Sequence, residues 1–284
     1  MIIFPNCKIN LGLSVRDKRK DGYHNLETVF YPVKLYDVLE IISEGSADNP
    51  AAGHESPLLT ITGFDVVGNA NDNLCVKAYH LLKTDFPKLP RTRMHLHKAI
   101  PMGAGLGGGS ADAAFTLRLL NEKFQLKLTN DKLIDYALRL GSDCPFFILN
   151  KPCFASGRGE LMEEINLDLS AYKIVLVNCG IHVNTGAAFA RLARGENTDD
   201  VAPSGKLKTI MQQPVETWKD VLYNDFETPV FEQFPVISQV KQQLYESGAL
   251  YAAMTGSGST VFGIFQNDRI SLPEFPKEYM VIGV

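Results

Sequence analysis

The stretch from 101 to 114, PMGAGLGGGSADAA, constrains this chain more than any other. Seven of its first nine residues are Gly, Ala or Pro, and five glycines fall within the seven positions 103–109. Glycine loses more conformational freedom on folding than any other residue, so such a concentration calls for close backbone approach or unusual dihedrals. The preceding residues, TRMHLHKAI (92–100), alternate with Met94 and Leu96 facing one way, as a strand does. In the following residues Ala113, Leu117, Leu120 and Phe124 recur at helical spacing. Ser110 is placed to cap that helix, and Asp112 falls in its first turn, where a carboxylate suits the dipole. Strand, glycine loop and helix together put bare amides over the positive end of a helix, an anion site whose natural occupant is phosphate. The structural alternative is a tight strand-to-helix turn that uses its glycines for packing.

Length and charge narrow the context. At 284 residues the chain suits two lobes, since domains commonly run to about 100–200 residues. The composition changes near 150–157, which divides it into 1–155 and 156–284. With 28 basic against 32 acidic residues and a pI near 5.9, the chain lacks the basic footprint of a nucleic-acid binder. MIIFPNCKIN has too few apolar residues for a signal peptide's core and no basic lead-in. Nothing approaches the ~18 apolar residues of a membrane span. The five cysteines, Cys7, Cys75, Cys144, Cys153 and Cys179, are odd in number and form no C-x-x-C, so neither a disulfide framework nor a zinc site is indicated. A cytoplasmic location is expected.

Residues 7–15, CKINLGLSV, alternate so that Ile9, Leu11, Leu13 and Val15 share one face and Lys8, Asn10, Gly12 and Ser14 the other, the pattern of a half-buried strand. RDKRKDG (16–22) reads as an exposed turn into a second extended segment, YHNLETVFYPV. The Gly-, Pro- and Ser-rich residues 43–57 read as surface loop. A helix over 74–82 has Asn71 or Asp72 as its expected cap, and another begins at Thr129 or Asn130 and stops at Gly141. AYKIVLVNCG is a buried strand, NTGAAFARLARGENTDDVAPSGK a short helix and then polar loop, and FPVISQVKQQLYESG a helix. LYAAMTGSGSTVFGIF is a pair of apolar stretches about a second Gly/Ser turn.

Two phosphate motifs fit the loop in part. Gly103, Gly105 and Gly108 satisfy G-x-G-x-x-G, yet the acidic residue that a dinucleotide site needs about 20 positions on is missing. Gly103 to Ser110 also follows G-x-x-x-x-G-K-[ST], except that Gly109 stands where lysine belongs. Charge compensation for a bound triphosphate must then come from a metal ion or from basic residues elsewhere.

Read whole, PMGAGLGGGSADAA resembles the glycine-rich ATP loop of the GHMP small-molecule kinases. KINLGL (8–13), DGYHNLETVF (21–30), GSDCPFF (141–147) and TGSGST (255–260) carry the resemblance across nearly the whole chain. DGYH points to the branch that acts on a cytidine-diphosphate-linked methylerythritol in non-mevalonate isoprenoid biosynthesis. Residues 190–235 carry no motif of the family. The resemblance implies an α+β two-lobe GHMP kinase fold, with an N-terminal lobe like ribosomal protein S5 domain 2 and a ferredoxin-like C-terminal lobe. It also implies transfer of the γ-phosphoryl of ATP to a small-molecule hydroxyl, with Mg2+ as the accompanying ion and its ligands left open.

The family's catalytic aspartate matches Asp143. A turn-forming aspartate before Pro145 would otherwise be unremarkable, whereas phosphoryl transfer needs a carboxylate to orient and deprotonate the attacking hydroxyl. Lys8 matches the lysine paired with it, whose charge keeps the carboxylate ionised and steadies the developing alkoxide. The two are therefore expected within salt-bridge range. Without the resemblance, a lysine on a polar strand face is ordinarily just solvated. Gly103, Gly105, Gly107, Gly108, Gly109 and Ser110 are expected to cradle phosphates, and Asn73 and Lys98 to meet the nucleoside, by position only. Tyr23 and His24 match the cytidine-recognising DGYH, an aromatic face for stacking and an imidazole for the base edge. Phe189 is a second stacking face or ordinary helix core. Asn10 and Thr185 are expected at the diphosphate or erythritol part. Three other readings compete: a homoserine, mevalonate or sugar kinase of the same fold, a non-catalytic nucleotide-binding regulator, and a dinucleotide oxidoreductase.

Overall fold

The computed structural model describes residues 1–46, 49–50, 56–66, 68–192, 205–266 and 274–284. Part of the loop expected within 43–57 and the polar segment after the short helix, 193–204, lie outside them. In chain order the first half carries β1 (Ile2–Ile3), β2 (Asn6–Lys18), β3 (His24–Tyr36), β4 (Val38–Ser43), β5 (Gly45–Ser46), β6 (Asn49–Pro50), β7 (Leu58–Gly63), α1 (Leu74–Asp85), β8 (Thr92–Lys98), α2 (Gly108–Lys123), α3 (Asn130–Leu140) and α4 (Cys144–Leu149). The second half carries β9 (Cys153–Ser156), β10 (Leu161–Glu164), β11 (Tyr172–Asn178), α5 (Thr185–Leu192), α6 (Lys206–Ile210), α7 (Glu227–Gln233), α8 (Pro235–Glu246), β12 (Tyr251–Met254), β13 (Val261–Gln266) and β14 (Met280–Gly283).

Two compact units share these elements. One is Met1–Cys7, Lys34–Met102 and Gly107–Asn150; the other is Lys8–Val33, Gly103–Leu106 and Lys151–Val284. The chain therefore changes unit within β2, within β3 and twice in the glycine stretch, as well as at Asn150, inside the 150–157 region where composition shifts.

In the first unit the sheet runs β1-β4-β8-β7, with β7 parallel to β8 and the other pairs antiparallel. Burial along β8 alternates, Thr92, Met94, Leu96 and Lys98 inward and Arg93, His95 and His97 outward, as the sequence pattern requires. Helix α2 packs on α1 and α4 and buries Ala113, Leu117 and Leu120. Thr129 Oγ1 accepts from Lys132 N to cap α3, and Gly141 closes that helix. Helix α1 starts later than expected. Asn73 Oδ1 accepts from Cys75 N, while Asn69 caps the single 3-10 turn Ala70–Asp72 before it. Neither Asn71 nor Asp72 is the cap, because that extra turn occupies both.

The second unit holds two sheets, β10-β9-β3-β2 and β12-β13-β11-β14. Strand β2 runs on to Lys18, so the exposed turn into β3 shrinks to 19–23, closed by Arg19 N donating to Tyr23 O at 2.7 Å. Asn6 to Leu13 are buried without alternation, so Lys8 and Asn10 are not a solvated face. The unit's core joins Val175 and Val177 of β11 and Val261 and Phe265 of β13 to Val230 of α7 and to Ile237, Val240 and Leu244 of α8. Among the described residues every cysteine is free, and no helix is long and apolar enough to cross a membrane.

Candidate active site

Gly103, Gly105 and Gly107 take φ of +63°, +77° and +71°, while Ala104 and Leu106 between them do not turn positive. Only glycine adopts such angles without strain. Space adds a second demand at Gly105, where a Cβ would lie 2.1 Å from Thr255 O. Gly109 is different, since only Met102 Cε comes within 4 Å of its would-be Cβ, at 3.9 Å. Helix α2 begins at Gly108 with Gly107 as its N-cap, so Ser110 is a first-turn residue and not the cap. A glycine cap has no side chain to occupy the first-turn amides. The first intrahelical bond comes from Ala111 N to Gly107 O, at 2.9 Å, which leaves the amides of Gly108, Gly109 and Ser110 without an intrahelical acceptor.

Asp143 precedes α4 as its N-cap residue, with αR backbone and no side-chain cap bond. The Ser110 hydroxyl lies near the sulfur of Cys144, the residue that follows Asp143, and burial pushes that thiol up to about 12. The start of α4 therefore meets the first turn of α2 within the first unit, and Asp143 is the residue immediately before that meeting point. Residues 34 apart in sequence, 110 and 144, are brought together here by the packing of α2 on α4.

Beside that turn lies a cleft of about 240 Å³ whose lining includes Asn69, Asn73, Leu96, Lys98, Gly109 and Asp112. Asn73 thus both begins α1 and faces the cleft. Lys98 is only 1% exposed, and its ammonium is already engaged by Asp37 Oδ2 and, at 2.7 Å, by Asp112 Oδ2. Asp37 Oδ1 also accepts from the backbone N of Ala99 and Ile100, at 2.6 and 2.8 Å. Asp112 Oδ1 is buried without a partner. Burial pushes the Asp112 carboxyl up to about 7, against the pull of Lys98 and with the push of Asp37. Asp112 is thus not the exposed first-turn carboxylate expected from its spacing; it sits one residue past that turn and faces inward. In this arrangement Lys98 gives the cleft its stem, and its charge is spent on two carboxylates.

In the second unit, Lys8 Nζ donates to Asn10 Oδ1 at 2.6 Å and lies 5.0 Å from the centre of the Phe30 ring. Asn10 donates from Nδ2 to Thr28 Oγ1 at 2.9 Å and from its backbone N to Thr255 Oγ1 at 3.0 Å. The side chain expected at a substrate is, in this state, a buried hub of hydrogen bonds. Thr255 Oγ1 also donates to Gly105 O at 3.1 Å, which ties the TGSGST turn to the glycine stretch. Thr185, exposed at the start of α5, shares a hydrogen bond of 2.8 Å with Ser257. His24 and Phe189 stack on each other, 5.0 Å between centroids and 11° between planes, with Phe226 against the edge of Phe189. No base fits between those two rings as they stand. Tyr23 is 57% exposed and carries the Arg158 guanidinium 5.1 Å from its ring centre.

The family model described as GHMP kinases N terminal domain matches residues 73–151, and the one described as GHMP kinases C terminal matches 205–272. The chain is 49% identical over 276 residues to the 4-diphosphocytidyl-2-C-methyl-D-erythritol kinase of Bacteroides fragilis, covering 97% of this chain and 96% of that one. The chain belongs to the GHMP kinases. The enzyme of that same name from Bacteroides thetaiotaomicron is 50% identical over 274 residues, covering 96% and 95%. The crystal structure of a 4-(cytidine 5'-diphospho)-2C-methyl-D-erythritol kinase superposes with a TM-score of 0.76 at 32% identity, over 93% of this chain and 90% of that one.

The sequence signal sits in short motifs, and the contacts that support them escape it. Asp112, Thr28 and Thr255 lie inside the quoted motifs without any sign of what they touch, and Asp37, the other partner of Lys98, lies in none. An unexplained buried position for a lysine within the alternation of β8 was the one available hint, since a charge on an inward register needs a partner.

Proposed function

We infer that this GHMP kinase transfers the γ-phosphoryl group of ATP to the 2-hydroxyl of 4-diphosphocytidyl-2-C-methyl-D-erythritol. Kinship at about half identity over nearly the full chain with enzymes bearing that substrate in their names supports the acceptor. The observation that carries the chemistry is the packing of α2 on α4, which sets Ser110 near Cys144 and supports Asp143 working beside the first-turn amides of α2.

The adenosine part of ATP takes the cleft lined by Asn73 and the Lys98 stem, and its phosphates lie on the amides of 103–110. Amide dipoles and the helix terminus neutralise the polyanion. The acceptor oxygen attacks the γ-phosphorus, the bond to the bridging oxygen of ADP breaks, and Asp143 takes the hydroxyl proton. Lys8 steadies the developing alkoxide. Tyr23, His24 and Phe189 recognise the cytosine once the His24–Phe189 stack has opened, and Asn10 and Thr185 lie toward the diphosphate or erythritol part. Magnesium enters with ATP. Among the described residues no group of three or more His, Cys, Asp or Glu could hold a metal; an ion carried in with ATP would supply positive charge to the phosphates.

Turnover measured side by side with cytidylated methylerythritol, homoserine, mevalonate and galactose tests this reading. Rapid ADP release is expected with the first alone. Activity confined to one of the other three would replace the acceptor, and ATP binding without transfer to any would leave a nucleotide-binding regulator.

A further inference from the structure

The glycine stretch has no lysine at position 109, so donors for its phosphates must come from other side chains. One basic side chain rests directly on it. A Cβ built on Gly103 would lie 2.6 Å from Nδ1 and 2.7 Å from Cε1 of His182, so that edge of the imidazole covers the Cα of the first glycine. His182 is itself exposed. The segment that carries it, between β11 and α5, is tied down at both ends. Asn178 Nδ2 donates to Thr260 Oγ1 at 2.9 Å and to Ser259 Oγ at 3.2 Å. The Ser259 hydroxyl donates to Ile181 O, Val183 is buried, and Thr185 meets Ser257. With Nδ1 turned to an aliphatic carbon, Nε2 is the ring nitrogen left to meet a ligand. The tautomer with its proton on Nε2 has a donor there.

We propose that His182 is a phosphate ligand, its Nε2–H donating to a phosphate oxygen beside Gly103 and supplying a donor that the loop lacks at position 109. The inference rests on the kinase reading. Phosphate reaches such an enzyme from two sources, ATP and the diphosphate of the acceptor, and the experiment separates them.

Two variants of the full chain carry the test. His182→Leu removes the donor, whereas His182→Gln keeps an amide nitrogen near the place of Nε2. For each, KM for ATP, KM for the cytidylated acceptor, kcat and the melting temperature are measured. His182→Leu is expected to raise one KM roughly tenfold to a hundredfold, the usual worth of a hydrogen bond to a charged group, with a smaller change in kcat. His182→Gln should stay within about threefold of the parent by the same measure, and neither variant should melt markedly earlier. A rise confined to ATP assigns the contact to the nucleotide, and one confined to the acceptor assigns it to the diphosphate. Equal losses in both variants, or no movement in either KM, would overturn the proposal. Should His182→Leu fail to fold, His182→Ala makes the same comparison. The acceptor reading is decided separately by the unaltered enzyme: if it uses a different acceptor, the ATP arm is run with that one.

Discussion

Each unit buries a lysine, and the two are held by different chemistry. Lys98, in the first, lies between two carboxylates, with side-chain exposures of 0% for Lys98 and Asp37 and 4% for Asp112. Lys8, in the second, meets the neutral carboxamide oxygen of Asn10 and the face of Phe30 among its contacts. An ammonium held between two carboxyl groups, Asp37 the ionised one, has its field largely cancelled nearby and serves as a fixed post for the strands and helix it joins. The Asn10 oxygen and the Phe30 face place no negative charge beside the Lys8 ammonium, whose proposed role is toward an anion of the reaction. Burial alone therefore does not separate a structural lysine from a working one. Substituting each in turn does.

The sharpest way to test that contrast starts from the anion that Lys8 is proposed to serve. Asp143→Asn should lower kcat by about 10²–10⁴-fold, the usual worth of a general base, while KM for ATP changes little, because the amides that hold phosphate are untouched. Steady-state kinetics with both substrates checks this. Near-normal turnover would remove Asp143 as the base and leave Lys8 without its proposed role.

The lysines themselves come next. Lys98→Met strands two carboxylates in the interior and should cost about 3–5 kcal/mol of stability, the typical loss when one partner of a buried ion pair is removed. Denaturant unfolding reads it directly. Lys8→Met should lose turnover by roughly 10–100-fold through the missing alkoxide contact, with far less effect on unfolding. If instead Lys8→Met unfolds as readily as Lys98→Met, the distinction between the two lysines fails. A smaller effect is expected for Gly105→Ala. Its Cβ would meet Thr255 O at 2.1 Å from a left-handed backbone, and forced overpacking of this kind costs about 1–3 kcal/mol. The loss should show in melting temperature and in KM for ATP together.

The elements that pattern alone can read are those whose neighbours are near in sequence. Met94 and Leu96 in β8, the Thr129 cap and the Gly141 stop of α3 are of this kind. The glycine stretch was legible as strand, loop and helix, but the start of α2 was not. Ser110 is a good cap by type, yet a left-handed Gly107 takes the position and leaves the amides bare. The lysine contrast was hidden for a plainer reason. Lys98 meets Asp37 from 61 residues away and Asp112 from 14, and no spacing rule connects them. Its position next to the loop suggested a nucleoside contact; its stem lines the cleft there, while its ammonium is engaged by the two carboxyl groups. The His24–Phe189 stack is another long-range product, since β3 and α5 meet only in the folded second unit.

The finest division lies inside the Lys98 cluster, between its two carboxylates. Asp37 uses both oxygens, Oδ1 on two backbone amides and Oδ2 on Lys98. Asp112 gives only Oδ2 to Lys98 and buries Oδ1 with no partner. A bare anionic oxygen is costly to bury, and a protonated carboxyl is much less so. Burial, with Asp37 adding to it and Lys98 opposing, accordingly lifts Asp112 from 3.8 to about 7. The unfolded chain releases this proton near 3.8 and the folded chain near 7, so between them the folded state holds more protons. Stability due to Asp112 must then fall as pH rises across that window and level off above it. Lys98, raised above its ordinary 10.5, contributes stability that is intact throughout the same range. Asp112→Asn keeps an acceptor for Lys98 and cannot ionise, so its unfolding free energy should lack that downward slope and, at pH 8, should equal or exceed that of the parent. Asp37→Asn should destabilise at every pH, because an amide nitrogen would face a donor. Unfolding curves at pH 5, 6, 7 and 8 for the three proteins decide it. If Asp112→Asn retained the parent's slope, or fell as far as Asp37→Asn at pH 8, Asp112 would be an ionised partner of Lys98 on equal terms with Asp37, and the cluster would carry a net negative charge.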